Sequence, residues 1–228
     1  MRKLALIALV SLPLFAGFFP STVNTSVTSV DKDNITLKSA FPVSGMSGIV
    51  IHNYGNGLEA VTAYISQTSA KDGKAKVIDR DIIHHEELPT INTAVAPGDR
   101  VIGGYLYHTV LLLAPDADTY ARITSSEHKL WVHPDHYALF LSKEGEARPT
   151  RENLKAFAKE YQVGLIYIVR NGSAVLLDPI SGKIVGEKAL TGLPSQAQSP
   201  FYMRFDQIES GWFSKSDHGN YYKIMESI

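Results

Sequence analysis

His108-Thr109-Val110-Leu111-Leu112-Leu113-Ala114 is an unbroken apolar run of strand length, and Val163-Gly164-Leu165-Ile166-Tyr167-Ile168-Val169 is a second one. Continuous apolar runs of this length, without polar alternation, mark strands covered on both faces. Between them the apolar residues fall at helical spacing. Thr150 is a good N-cap, and Leu154, Phe157, Ala158 and Tyr161 follow at i, i+3, i+4 and i+7, one stripe of a helix. Asp116 caps a shorter helix carrying Tyr120 and Ile123. Pro134 opens another, with Tyr137, Phe140 and Leu141 inward and Gly145 just past its end. After the second run, Asn171-Gly172 turns into Ala174 to Leu177, and Asp178-Pro179-Ile180-Ser181-Gly182 turns into an edge strand from Lys183 to Leu190. Strand, helices, strand and hairpin in this order predict a compact α/β domain over residues 107–190.

Upstream the pattern is different. From Val23 to about Tyr105 short β-rich runs recur at roughly 10-residue spacing, as in a small barrel or sandwich. The expected strands are Val27 to Val30, Ile35 to Leu37, Gly48 to His52, Leu58 to Ser66, Ala75 to Ile82 and Arg100 to Leu106. Asp31-Lys32-Asp33-Asn34, Asn53-Tyr54-Gly55-Asn56-Gly57 and Lys71-Asp72-Gly73-Lys74 supply the positive-φ positions of tight hairpins. Pro97-Gly98-Asp99 suits a type II turn. Residues 23–106 therefore read as a small SH3-like β-barrel, and the whole chain as α+β, an N-terminal barrel followed by the α/β domain.

Residues 191–228 form a connector rich in Gly, Ser, Pro and Gln, then an aromatic tail with Phe201, Tyr202, Phe205, Trp212, Phe213, Tyr221 and Tyr222. Such a tail either packs back on the domains or offers an aromatic docking surface. Trp212, Phe213, Tyr221 and Tyr222 are the partner-binding candidates in the second case, because Trp and Tyr are favoured interface anchors.

At the other end, Met1-Arg2-Lys3 and the apolar run Leu4 to Phe19 have the layout of an export leader, so residues 1–19 read as a signal peptide with cleavage near Ala16 or Gly17. An uncleaved anchor is the alternative. Phe18 stands where a lipoprotein signal would carry its cysteine, which excludes a lipid anchor there. Loss of the first 17 residues removes Arg2 and Lys3 and takes the formal charge from -1 to -3. These features place the chain in the periplasm or outer envelope.

Composition removes several functions. The chain of 228 residues has 22 Lys and Arg against 23 Asp and Glu, so it lacks the positive field that nucleic acid requires. It has no cysteine, hence no disulfide, thiolate metal site or cysteine nucleophile. No phosphate-binding glycine loop is present, so no nucleotide cofactor is expected. Ser44-Gly45-Met46-Ser47-Gly48 lacks the spacing of a serine elbow and precedes a strand. His84-His85-Glu86-Glu87 has adjacent histidines that point apart. His128, His133 and His136, with Asp135, are the candidate metal ligands and would support a metal-dependent hydrolase, although Pro134 and Asp135 equally suit an ordinary helix start. Asp116, Asp118, Glu144 and Glu146 sit at turns and helix ends, where capping accounts for them.

Four phrases carry a likeness to a known family: Leu111-Leu112-Leu113-Ala114-Pro115-Asp116, Trp131-Val132-His133-Pro134-Asp135, the run Val163 to Val169, and Ser199-Pro200-Phe201-Tyr202 leading to Gly211-Trp212-Phe213. From about Asn24 onward the chain resembles the N-terminal domain family of the plasminogen-binding protein of epsilonproteobacteria. The resemblance implies a non-enzymatic envelope protein without cofactors, whose partner is an envelope or host protein. The family's named member continues into a lysine-rich extension, whereas this sequence ends at Glu226-Ser227-Ile228. Plasminogen captures lysine side chains, so that departure bears on whether host binding carries over. A second likeness, through Ala158-Lys159-Glu160-Tyr161-Gln162 and Leu177-Asp178-Pro179-Ile180-Ser181-Gly182-Lys183, is to periplasmic assembly domains of the TolB N-terminal and flagellar-ring kind. It implies a structural subunit of the periplasmic part of the flagellar motor, or of another large periplasmic assembly, as the alternative role.

Overall fold

The computed structural model describes residues 17–80, 93–205 and 221–228. Strands β1 (Val23–Asp31), β2 (Asn34–Leu37), β3 (Ser47–Gly55), β4 (Leu58–Ser69), β5 (Lys74–Asp79) and β6 (Arg100–Gly103) close an antiparallel barrel in the order β1-β2-β5-β4-β3-β6. In β2, β5 and β6 buried and more exposed positions alternate as expected of half-buried strands, and Val27, Ile35, Leu37, Val50, Ala63, Ile65, Ala75, Val77 and Val101 fill the interior. The hairpins turn where the sequence supplies positive φ, at Lys32 (φ 58), at Gly55, Asn56 and Gly57, and at Gly73. Gly98 (φ 97) completes the turn after Pro97, with Asp99 N–H donating to the Ala96 carbonyl. The Asp99 carboxylate holds this turn from two sides, accepting from Ala96 N–H at 2.8 Å and lying 2.7 Å from His52 Nδ1.

The remaining elements are β7 (Thr109–Leu113), α1 (Ala117–Ser126), β8 (Leu130–Val132), α2 (Pro134–Glu144), α3 (Arg151–Glu160), β9 (Leu165–Arg170), β10 (Ser173–Asp178), β11 (Lys183–Ala189) and α4 (Tyr221–Ser227). Their five strands form one sheet in the order β11-β10-β9-β7-β8. β7 runs parallel to both β8 and β9, and β9, β10 and β11 are antiparallel. Val110, Leu112, Leu165, Tyr167 and Leu176 face the barrel side with Ile123 of α1, while Leu111, Leu113, Ile166, Ile168, Val175 and Leu177 face α2, α3 and α4. Both faces of the sheet are thus covered, as the unbroken apolar runs require.

The helix ends follow their sequence signals. Asp116 accepts from Thr119 N–H, Gly145 takes the left-handed C-cap conformation (φ 70), and Thr150 and Asn153 form a reciprocal capping box. Several elements differ from expectation, and β1 and β4 are longer, beginning at Val23 and running to Ser69 respectively. The strand expected over Arg100 to Leu106 stops at Gly103, because Gly104 and Leu106 adopt positive φ in a turn. The strand expected to begin at Val163 begins at Leu165, after a left-handed Gln162. β8 is too short, at three residues, to leave a periodic pattern. α4 falls in the tail, where no helix was expected. Residues 81 and 82, the end of the strand expected from Ala75, lie outside the described residues.

Barrel and sheet share one buried cluster that runs through Met46 and Tyr107. Asp178 fastens the two. Its carboxylate is fully buried, and one oxygen accepts from Ser47 N–H at 2.7 Å and from the Tyr107 hydroxyl at 2.6 Å. The other accepts from Ile180 and Ser181 N–H, each at 3.0 Å. Gly164 lets the α3–β9 turn close against the barrel exit, since a Cβ there would stand 2.2 Å from the Leu106 carbonyl oxygen.

Candidate functional site

In sheets with parallel strands, ligands bind in the crevice beyond the carboxyl ends, where connections leave adjacent strands in opposite directions. Here that place is between β7 and β9, since the chain leaves β7 toward β8 and leaves β9 toward β10. The crevice is filled by the chain's own C-terminal segment. The Tyr221 ring is fully buried, and its hydroxyl sits 2.9 Å from the Leu113 carbonyl oxygen and 2.8 Å from that of Val169, one at the end of each strand. Tyr202 N–H donates to the Ala114 carbonyl and Gln198 N–H to that of Pro115, both at 2.8 Å. Phe201 is buried against Tyr137, with ring centroids 5.5 Å apart. Ile224, Met225 and Ile228 continue the seal, and Arg170 Nε donates to the Met225 carbonyl.

The connector is latched to α2 as well. Asp135, in the first turn of that helix, accepts from Arg204 N–H at 2.9 Å and from Arg204 Nε at 2.7 Å. Burial pushes the Asp135 carboxyl up, but the Arg204 donors and the His133 ring outweigh it and hold it below the ordinary range. His133 is the N-cap of α2: its Nδ1 accepts from Asp135 N–H, and its ring packs against Tyr120 at 5.1 Å and Tyr202 at 6.1 Å. Burial lowers the pKa of His133, with Asp135 opposing.

Of the partner-binding candidates, Tyr221 is committed to the crevice, and Tyr222 is half-buried with its hydroxyl donating to the Pro194 carbonyl at 2.7 Å. These two follow the packed-tail alternative. Trp212 and Phe213 lie outside the described residues, as do His84 to Glu87. The histidine candidates are not gathered. His133 caps a helix, His128 and His136 are exposed, and Asp135 is engaged by Arg204. No group of three or more His, Cys, Asp or Glu side chains placed to hold a metal occurs among the described residues. Ser44 Oγ accepts from Ala70 N–H, and Ser47 N–H serves Asp178, so the serine loop is part of the barrel's framework.

Of the residues that seal the crevice from the connector, Phe201 and Tyr202 stand in the aromatic tail read from the sequence, whereas sequence reasoning missed Gln198 and Arg204, since donors that latch distant elements leave no periodic signal. A narrow cleft between barrel wall and α3–β9 turn, floored by Ile49 and rimmed by Tyr64, Tyr105 and Lys159, has internal room of about 40 Å³ and is bridged by Lys159 to Asp79. That is too little for a substrate-sized molecule. The described surface does carry large apolar side chains: Leu58, Leu130 and Leu139 are each more than half exposed.

The family described as "Plasminogen-binding protein pgbA N-terminal" matches residues 22–228. Curated relatives are the plasminogen-binding protein PgbA of Helicobacter pylori strains 26695 and J99, each 24% identical over 233 aligned residues that cover 99% of this chain. The chain spans about half the length of these relatives, 51% in each case. No solved structure matches it.

Proposed function

The chain belongs to the family of the N-terminal region of plasminogen-binding protein PgbA, and from that premise we propose that it is a non-enzymatic cell-envelope protein that binds a host protein of the plasminogen kind by surface contact. The observation that carries this reading is the filled crevice. The place where a sheet of this kind would take a small substrate holds Tyr221, Phe201 and Tyr202 instead, and the titratable groups around it are engaged in caps and latches. With that crevice filled, the reading places function on the surface. The names of the relatives supply the kind of partner. The charged start and apolar run of residues 1–19 support export to the periplasm or outer envelope, with attachment there through protein contact or a retained leader. The barrel goes with this reading as an SH3-like module that presents hairpin tips.

Deletion of the gene should lower the plasminogen captured by intact cells, and complementation with a chain that ends at Ile228 should restore it. Capture that is unchanged by deletion, with the chain expressed at wild-type level in the parent strain, would overturn the proposal.

A further inference from the structure

Phe18 and Phe19 are the last residues of the apolar run that begins at Leu4, and by sequence they belong to the leader. In the fold they belong to the body. The Phe18 ring meets Tyr167 edge-on at 5.2 Å and Phe19 at 5.1 Å, while Phe19 lies 6.2 Å from Tyr167. Trp131 closes the far side of Tyr167 at 6.2 Å. Two lysines cover the pair: Lys188 Nζ is 4.3 Å above the Phe18 ring, and Lys129 Nζ is 4.3 Å above the Phe19 ring. The backbone is fitted too. A Cβ on Gly186 of β11 would stand 2.4 Å from the Phe18 carbonyl oxygen, so glycine there makes room for the segment. Pro20 is buried, and the Thr22 hydroxyl donates to the Gly104 carbonyl at 3.2 Å. Beneath the pair the Tyr167 hydroxyl is sealed from solvent, with no hydrogen-bond partner among the described residues. Gly17 differs from all of these. It is exposed, and nothing lies within 4 Å of where its side chain would be.

We propose that the leader is removed ahead of Phe18, by hydrolysis no later than the Gly17–Phe18 bond, and that Phe18-Phe19 remains as a docked amino-terminal plug in the notch of Tyr167, Trp131, Lys129 and Lys188. In the cut, water gives its hydroxyl to the carbonyl carbon on the leader side and a proton to the departing amine. The inference rests on the export reading above. It agrees with cleavage near Ala16 or Gly17 and adds that Phe18 and Phe19, the end of the 1–19 leader segment, stay with the folded chain, because a cut beyond Phe19 would strip both rings from Tyr167 and leave two lysines without the aromatic faces they cover.

Mass spectrometry of the chain recovered from the native envelope tests the cut. A first residue of Gly17 or Phe18 supports it, whereas Pro20 or any later start, or an exported chain with Met1 intact, overturns it. A chain found only in the cytoplasm with Met1 intact would instead bring down the export reading, and the cut with it. The docking is judged separately in a Trp212→Phe background, where Trp131 is the one remaining tryptophan. Replacing Phe18 and Phe19 together with Ser should shift Trp131 emission to longer wavelength and lower the thermal midpoint by about 5 to 10 °C. Unchanged emission and midpoint would show that the pair is not docked.

Discussion

Replacing Tyr221 with Phe deletes one oxygen and leaves the ring in place. The hydroxyl lies between the carbonyl oxygens of Leu113 and Val169, at 2.9 and 2.8 Å, in a position closed to solvent. It donates to one of them at a time. Its loss removes a neutral buried hydrogen bond, a net contribution of about 1 kcal/mol, and leaves a strand-end carbonyl short of a donor, so the expected cost is about 1–2 kcal/mol. For a chain of this size each kcal/mol moves the thermal midpoint by about 2–4 °C. Tyr221→Phe should therefore melt about 2–8 °C lower than the parent. Tyr221→Ala also removes the ring from the cluster of Leu113, Ile168 and Val175, which raises the cost to about 3–5 kcal/mol. Near-ultraviolet circular dichroism during a thermal ramp reads both variants, and the partner is titrated at 25 °C where both remain folded. The expected result is graded loss of stability with partner affinity kept. If Tyr221→Phe melts with the parent and Tyr221→Ala costs under about 1 kcal/mol, the tail does not hold the crevice and the reasoning fails.

Other expectations follow from the same contacts. Asp178→Ala leaves the Tyr107 hydroxyl and Ser47 N–H without their buried acceptor and should cost about 3–5 kcal/mol in urea unfolding, whereas Asp178→Asn, which keeps an acceptor, should cost less. Stability should fall in two steps on acidification. His133 has a folded pKa below its ordinary 6.5, so the stability it contributes is complete above pH 6.5 and is lost as pH falls through the folded value. Asp135, held below 3.8, gives a second loss as pH falls through its still lower folded value, and Asp135→Asn should abolish that step. The buried phenols of Tyr107, Tyr137 and Tyr221 are pushed up by burial, so the stability they contribute is present below pH 10 and is lost as pH rises beyond it. A urea-unfolding series from pH 3 to 11 reads all three regions, and a flat profile would contradict the assignments.

The fold was legible where local chemistry and burial agree. The six barrel strands announced themselves by short β-rich runs at roughly 10-residue spacing and by turn residues such as Gly55, Gly57 and Gly73, and the sheet's centre by two unbroken apolar runs. Helix limits followed from Asp116, Pro134, Gly145 and Thr150, whose capping roles depend only on near neighbours. What stayed hidden is long-range. Asp178 read as a turn residue, and only the fold brings it to Tyr107, 71 positions away. Phe18 and Phe19 read as leader because their composition matches it, yet Lys129, Tyr167 and Lys188 make them part of the core. The aromatic tail read as either cover or docking surface, and Tyr221 lies on the cover side because its hydroxyl meets two strand ends that are distant in sequence.

The central claim is that this region of the protein makes the host-protein contact through its own surface. Surface plasmon resonance of the purified chain, residues 18–228, over immobilised plasminogen tests it most directly. Saturable binding that weakens on addition of free lysine, and that survives Tyr221→Phe, is the predicted result. No binding at concentrations up to about 100 μM, from protein whose melting curve shows it folded, would contradict the claim.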